Sequence, residues 1–274
     1  MKKKAKEERS MKNSVTTGKI TNERFEIEYF TFGEGERPFV IIPGLAMRSV
    51  ISMAPSVAAA YSGFAQDYKV YLIERRSTLD YGYTVAEMAE DTAKVMKELG
   101  ITGACIFGAS QGGMIAQYIA ARHPELVSKL ALGSTAARLN DTARANIEEW
   151  AALAKAENVV ALNRSMFSKI YSAEYYDKFR SAFELLEKQG TPEELKRVAV
   201  LAEGCLALNA YAELGGIKCP TLVIGAENDN VLTVDASSEI AEKLGCELYV
   251  YDGGSHAVYD EAEDYKERLL RFFA

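Results

Sequence analysis

Gly103-Ala104-Cys105-Ile106-Phe107-Gly108-Ala109-Ser110-Gln111-Gly112-Gly113-Met114-Ile115 is the stretch on which the reading of this chain turns. Its first five residues form an apolar run that predicts a buried strand. Met114, Ile115, Tyr118 and Ile119 then recur at helical spacing until His123-Pro124 stops the helix. Between strand and helix lies Gly-x-Ser-x-Gly, with Ser110 at its centre. A turn this tight crowds the backbone two residues either side of the serine, and Gly108 and Gly112 carry no Cβ to obstruct it. A serine on such a turn is held exposed, as a nucleophile has to be. The competing reading is a plain strand-to-helix turn with Ser110 as a capping residue; the strand-like and helix-like flanks weigh against it.

A nucleophilic serine needs a base, and the chain has two histidines. His123 follows Ser110 by a whole helix, about 20 Å at 1.5 Å per residue, and reads as a boundary residue. His256 lies in Asp252-Gly253-Gly254-Ser255-His256, just after the apolar run Leu248-Tyr249-Val250-Tyr251. That places it on a loop at a strand end, where catalytic side chains are commonly presented. The third member expected is a carboxylate that holds the imidazole in one tautomer. Pro220 to Ala226 predicts a strand, and Asp229 in the loop after it is the first choice, ahead of Glu227 and Asp235. Asp235 is expected to open or cap the next helix, Ala236 to Leu244, and Asp252 to be a turn residue. Two backbone N–H groups are expected to face the developing oxyanion: that of Gln111, after the serine, and that of Leu45, in Pro43-Gly44-Leu45 leaving the Phe39 to Ile42 strand.

These residues, in the order serine, acid, histidine, resemble the α/β-hydrolase superfamily, in particular its small esterase, enol-lactonase and cofactor-free peroxidase-like members. The resemblance rests on Pro43-Gly44, Glu74-Arg75-Arg76, Gly108 to Gly113, Gly225 to Asp229 and Gly254-Ser255-His256, and runs from about residue 22 to the C-terminus. It implies Ser110 as nucleophile, Asp229 as acid and His256 as base. Many members have His-Gly where this chain has Pro43-Gly44, a change that keeps a backbone donor. Many also have Asp-x-Arg-Gly-x-Gly-x-Ser where this chain has Glu74-Arg75-Arg76-Ser77-Thr78-Leu79-Asp80, a change that reshapes a loop near the pocket.

The remainder of the chain alternates in the same sense. Strands are expected at Phe25 to Phe30, Phe39 to Ile42, Lys69 to Ile73 and Lys129 to Leu132. A Thr84/Glu87 capping box opens a helix that ends at Gly100. Strands separated by helices imply an α/β fold with a mostly parallel central sheet and helices on both faces. From residue 137 to 215 the alternation gives way to helices alone: Asp141 to Ala156, Val160 to Tyr171, Glu174 to Gln189 and Pro192 to Ala212. This segment is expected to form a helical cap over a core of residues 22–136 and 216–274. Its aromatics are expected mostly to pack cap on core, with Trp150 joining Met47 and Met114 along an apolar pocket.

Composition bounds the rest. A chain of 274 residues, 48% hydrophobic and 26% charged, is ordinary for one globular core with an insertion. The net charge of −7 argues against general nucleic-acid binding and against an anionic membrane surface. Residues 2–12 hold six Lys/Arg against two Glu, so residues 1–21 read as a disordered basic tail with no secretory pattern, and Met11 offers an alternative start. No run approaches the roughly 20 apolar residues of a membrane span. The four cysteines have no metal-ligand spacing, which fits buried thiols in a reducing cytoplasm with no metal and no cofactor. The expected partner is a small molecule, with oligomeric state left open. The expectation is a serine hydrolase acting on a small, fairly apolar carboxylic ester, lactone or thioester. Its rivals are carbon–carbon bond hydrolysis or lyase chemistry on the same triad, and a small-molecule receptor with little turnover.

Overall fold

The computed structural model describes residues 14–274. Eight strands form one sheet: β1 (Thr16–Thr21), β2 (Glu26–Phe32), β3 (Arg37–Ile42), β4 (Tyr68–Arg76), β5 (Ala104–Ala109), β6 (Val127–Gly133), β7 (Thr221–Asn228) and β8 (Glu247–Ser255). Their order across the sheet is β1-β2-β4-β3-β5-β6-β7-β8. The β1–β2 and β2–β4 pairs are antiparallel, and every pair from β4 to β8 is parallel.

Alternation along the strands divides the core in two. Val40, Ile42, Ile106, Leu130, Leu132 and Val223 face one layer of helices. That layer includes α2 (Val85–Glu98), α3 (Gln111–Arg122) and α9 (Val234–Leu244). Phe39, Ile41, Phe107, Ala131 and Ile224 face the other layer, where α1 (Ala54–Ala60) and α11 (Tyr265–Phe273) pack. A strand covered on both faces reads as a continuous apolar run, which is how β3, β5 and β7 appear in the sequence.

Between β6 and β7 come five helices: α4 (Asp141–Lys155), α5 (Val159–Ile170), α6 (Ala173–Lys178), α7 (Arg180–Leu186) and α8 (Pro192–Leu206). The short α10 (Val258–Glu261) precedes α11. Asn140 caps α4 by accepting from Ala143 N–H, and Thr191 with Glu194 forms a capping box on α8.

Several expectations are corrected. Residues 1–13 of the expected tail lie outside the described residues, and Thr16–Thr21 is an edge strand, not disordered. Its threonines favour extended backbone, and Ile20 pairs with Ile27 in β2. With one apolar residue in six, the strand gave no core signal. The single helix expected over Glu174 to Gln189 is broken at Phe179, whose φ of −114° leaves the helical range. The helix from Pro192 ends at Leu206, not Ala212. The α9 helix starts at Val234, not Ala236, after Thr233 in the left-handed region (φ 70°), and Asp235 stands in its first turn as one of the two expected placements. Asp252 lies within β8.

Candidate active site

Ser110, Asp229 and His256 each follow directly on the C-terminal end of a parallel strand, β5, β7 and β8 respectively. The fold therefore brings them to one edge of the sheet, where open α/β sheets bind their ligands. Ser110 adopts φ 52°, a strained conformation for a residue with a Cβ. Its backbone is held from three sides. Ser110 N–H donates to Gly133 O at 2.8 Å. Its carbonyl accepts from Gly113 N–H at 2.9 Å and from the Thr135 hydroxyl at 2.6 Å.

The two motif glycines are needed sterically. A Cβ on Gly108 would lie 2.4 Å from Gly112 O, and one on Gly112 would lie 1.9 Å from Ile42 O. Strand, helix and the loop leaving β3 thus meet with no room for a methyl group.

The Ser110 Oγ lies 3.0 Å from His256 Nε2. His256 Nδ1 lies 2.8 Å from Asp229 Oδ2. An ionised carboxylate only accepts, so Nδ1 carries the proton and Nε2 is left to accept from the serine hydroxyl. The other Asp229 oxygen accepts from Val231 N–H at 2.8 Å and Leu232 N–H at 2.9 Å. Burial works to raise the Asp229 pKa, but His256 and those two N–H groups outweigh it and hold the carboxyl below its ordinary value. His123 takes no part: it sits beside Glu90, with Nε2 to Oε2 at 2.9 Å.

The Pro43-Gly44 turn lies against the serine, since a Cβ on Gly44 would be 3.3 Å from Ser110 Cβ. Beside it, Leu45 and Met47 line a cavity of about 350 Å³. Its far wall comes from α5 and the residue after it, with Met166, Phe167, Ile170 and Tyr171. Ile170 O accepts from Ala257 N–H at 2.9 Å, so the wall is bonded to the neighbour of His256. A wider cleft of about 560 Å³ shares Met47, Arg48, Ser49 and Ser52 and continues to Ser77 and Thr78.

Of the residues expected along the pocket, Met47 lines both spaces, whereas Met114 and Trp150 line neither. Met114 is buried in the core between α3 and the sheet. Trp150 is buried against the insertion's own helices, its indole N–H donating to Ser165 Oγ at 3.1 Å. The aromatics of the insertion likewise stack chiefly on one another, around Phe183.

The sequence pattern of the alpha/beta hydrolase fold family matches residues 37–263. The chain belongs to that family. A curated relative from Rhizobium rhizogenes, named "Putative carbamate hydrolase RutD", is 28% identical over 233 residues, 80% of this chain and 86% of that protein. The 3-oxoadipate enol-lactonase 2 of Acinetobacter baylyi is 22% identical over 82% of this chain and 84% of its own length. Among solved structures, the alpha/beta hydrolase MGS-M2 from a Medee basin deep-sea metagenome library superposes with a TM-score of 0.86 at 24% identity, covering 93% and 97% of the two chains. The enol-lactonase of Burkholderia xenovorans LB400 does so at 0.80 and 22%, covering 93% and 99%. These structural likenesses establish the fold. Among the described residues, no helix is long and apolar enough to cross a membrane.

Residues to which the sequence reading gave no role in the site also shape it. Thr135, on the loop after β6, holds the Ser110 carbonyl. Glu74 and Arg75, at the end of β4, are both buried. Charges that continue an apolar strand into the core were the available signal. Glu261 Oε1 accepts from Ser172 N–H and from Ser255 Oγ, both at 2.9 Å, and ties the insertion to the strand end before His256.

Proposed function

We propose that this chain is a serine hydrolase of small, fairly apolar carboxylic esters, lactones or thioesters. The observation that carries the reading is the continuous chain of hydrogen bonds from Ser110 Oγ through His256 to Asp229, at 3.0 and 2.8 Å. Ser110 attacks the carbonyl carbon as His256 Nε2 takes its proton. Asp229 stabilises the imidazolium that forms. The N–H groups of Leu45 and Gln111 hold the oxyanion. His256 then protonates the leaving group, and water releases the acyl group by the same route. Residues 137–215 serve as the cap, and a reducing, cytoplasmic setting suits the four free thiols.

The cavity supports an uncharged acyl group. Its volume of about 350 Å³ holds roughly a dozen water-sized groups at about 30 Å³ each. Two of its polar lining residues are already committed. Arg48 Nε donates to Glu194 Oε1 at 2.6 Å. Asn163 Nδ2 donates to the Leu186, Glu187 and Gln189 carbonyls at 3.0 to 3.2 Å. A second reading, carbamate cleavage by the same residues, draws on the relatives named for that activity.

The test is turnover of p-nitrophenyl esters of graded acyl length, with a lactone, a thioester, a carbamate and a β-diketone, by the wild type and Ser110→Ala. Fluorophosphonate labelling is followed alongside. Labelling of the wild type alone, with highest turnover on a short-to-medium acyl ester, is expected. A best rate on the carbamate moves the assignment to the second reading, and one on the diketone moves it to carbon–carbon bond cleavage. A folded wild type that takes no label and turns over nothing removes the hydrolase reading and leaves the receptor.

A further inference from the structure

Behind the Pro43 to Ala46 turn lies a buried charge cluster that the proposed chemistry does not use. Arg75 Nη2 donates to Pro43 O, to Gly44 O at 3.1 Å and to Gln111 Oε1 at 3.1 Å. Its Nε and Nη1 are buried and have no hydrogen-bond partner among the described residues. Glu74 is its neighbour, with Oε1 3.8 Å from Nη1. The same carboxylate pairs with Arg197 of α8, whose Nε donates to Ala46 O at 3.2 Å. Two cations thus share one carboxylate, and both arginines grip carbonyls of one turn.

From this geometry we infer that Arg75 is the positioning residue of the oxyanion site, holding both of its backbone donors through one guanidinium nitrogen. The inference rests on the hydrolase reading above. Its first support is peptide geometry. The C=O of Gly44 and the N–H of Leu45 belong to one planar trans unit and point in opposite directions. Drawing the Gly44 carbonyl onto Arg75 therefore aims the Leu45 N–H away from the guanidinium. The second support is Gln111. Its side chain is fully engaged, with Oε1 on Arg75 and Nε2 donating to Leu201 O at 2.8 Å and contacting Cys205 Sγ at 3.1 Å. Residue 111 is therefore fixed beside Ser110 by the same guanidinium. The third support is charge. A cluster with one excess cation, shielded from water, favours negative charge developing in front of it. Burial penalises the Arg75 cation and lowers its pKa, partly offset by Glu74, so the site bears a cost that packing alone does not require.

Arg75→Met keeps the apolar stem and leaves Glu74 paired with Arg197. Arg75→Lys keeps the charge and loses the fork. For Arg75→Met, kcat on the best ester is expected to fall about 100-fold with KM within about twofold. Affinity for butaneboronic acid, which forms a tetrahedral adduct on the serine, is expected to fall by a similar factor, while affinity for the product carboxylate stays. For Arg75→Lys the matching losses are about tenfold, and this variant alone decides the question if Arg75→Met does not fold. A merely structural role would shift the thermal midpoint and move substrate, product and boronate together. A folded variant with wild-type kcat and wild-type boronate affinity overturns the inference. If that variant labels with fluorophosphonate as the wild type does, only the inference falls. If the wild type itself neither labels nor turns over ester, the hydrolase reading and the inference fall together.

Discussion

The turns around Ser110 and the far wall of the 350 Å³ cavity beside them are built by different physics. Around Ser110, the Gly108 to Gly113 turn and the Pro43-Gly44 loop are held by backbone contacts so close that a methyl group on Gly108 or Gly112 is excluded. The cavity wall, by contrast, comes from side chains of α5, Tyr171 and the end of α7. Phe167, Ile170 and Tyr171 face the cavity from helices whose aromatics stack on one another, and Leu185, Leu186 and Phe179 stay largely exposed. On the proposed function, the first would set where bonds are made and broken, and the second what fits. A wall made of side chains can change its shape by substitution, whereas a turn made of backbone cannot.

If that division holds, changes on the two sides should affect different quantities. The largest effect is expected from Asp229→Asn, which keeps the shape but favours the wrong imidazole tautomer. A loss in kcat on the order of 10⁴-fold is expected, with the order of preference along the acyl series unchanged. A change in that order, read from the same p-nitrophenyl esters, breaks the division. Gly112→Ala comes next. Its methyl would meet Ile42 O, and a loss of about 3 kcal/mol or more is expected in urea unfolding. A stable, active Gly112→Ala protein would show that the backbone side yields as readily as the wall.

A smaller effect is expected from Phe167→Leu. It widens the wall and should move the ratio of kcat/KM for longer over shorter esters by about tenfold, with the rate of fluorophosphonate labelling kept. Slower labelling would mean that the wall reaches into the chemistry. The smallest effect is one of pH. The Asp229 pKa is lowered on folding, so its ionised form contributes stability that is complete above its ordinary 3.8 and lost as pH falls through the lower folded value. The stability gap between wild type and Asp229→Asn should therefore narrow below that pH, as followed by urea midpoints at pH 6 and pH 3. A gap of constant size would locate the effect of Asn elsewhere than in the carboxylate's charge.

The same division explains what could be read in advance. That Ser110, Asp229 and His256 meet was legible because each follows an apolar strand, and strand ends are marked by glycines and by the change of period. Met114 was misplaced because every residue from Gln111 to Ala120 in α3 is buried, so helical periodicity does not say which ones face the cavity. Trp150 misled for a related reason. A large aromatic in an inserted helix suits a ligand wall and a helix–helix seam equally well, and Ser165 one helix away decides for the seam. Arg75 could be located but not interpreted. Its acceptors are main-chain oxygens of a turn about thirty residues earlier, and only folding brings them within reach.

One small joint sets a limit on rebuilding this protein. Ile170 O accepts from Ala257 N–H, and Glu261 bridges Ser172 N–H to the Ser255 hydroxyl. The cavity wall is therefore fastened to both sequence neighbours of His256. Residues 137–215 are for that reason not a cassette to be exchanged freely. A graft from a relative needs a carbonyl at the place of Ile170 and a backbone donor at the place of Ser172. Without them the tie between that wall and the residues beside His256 is lost.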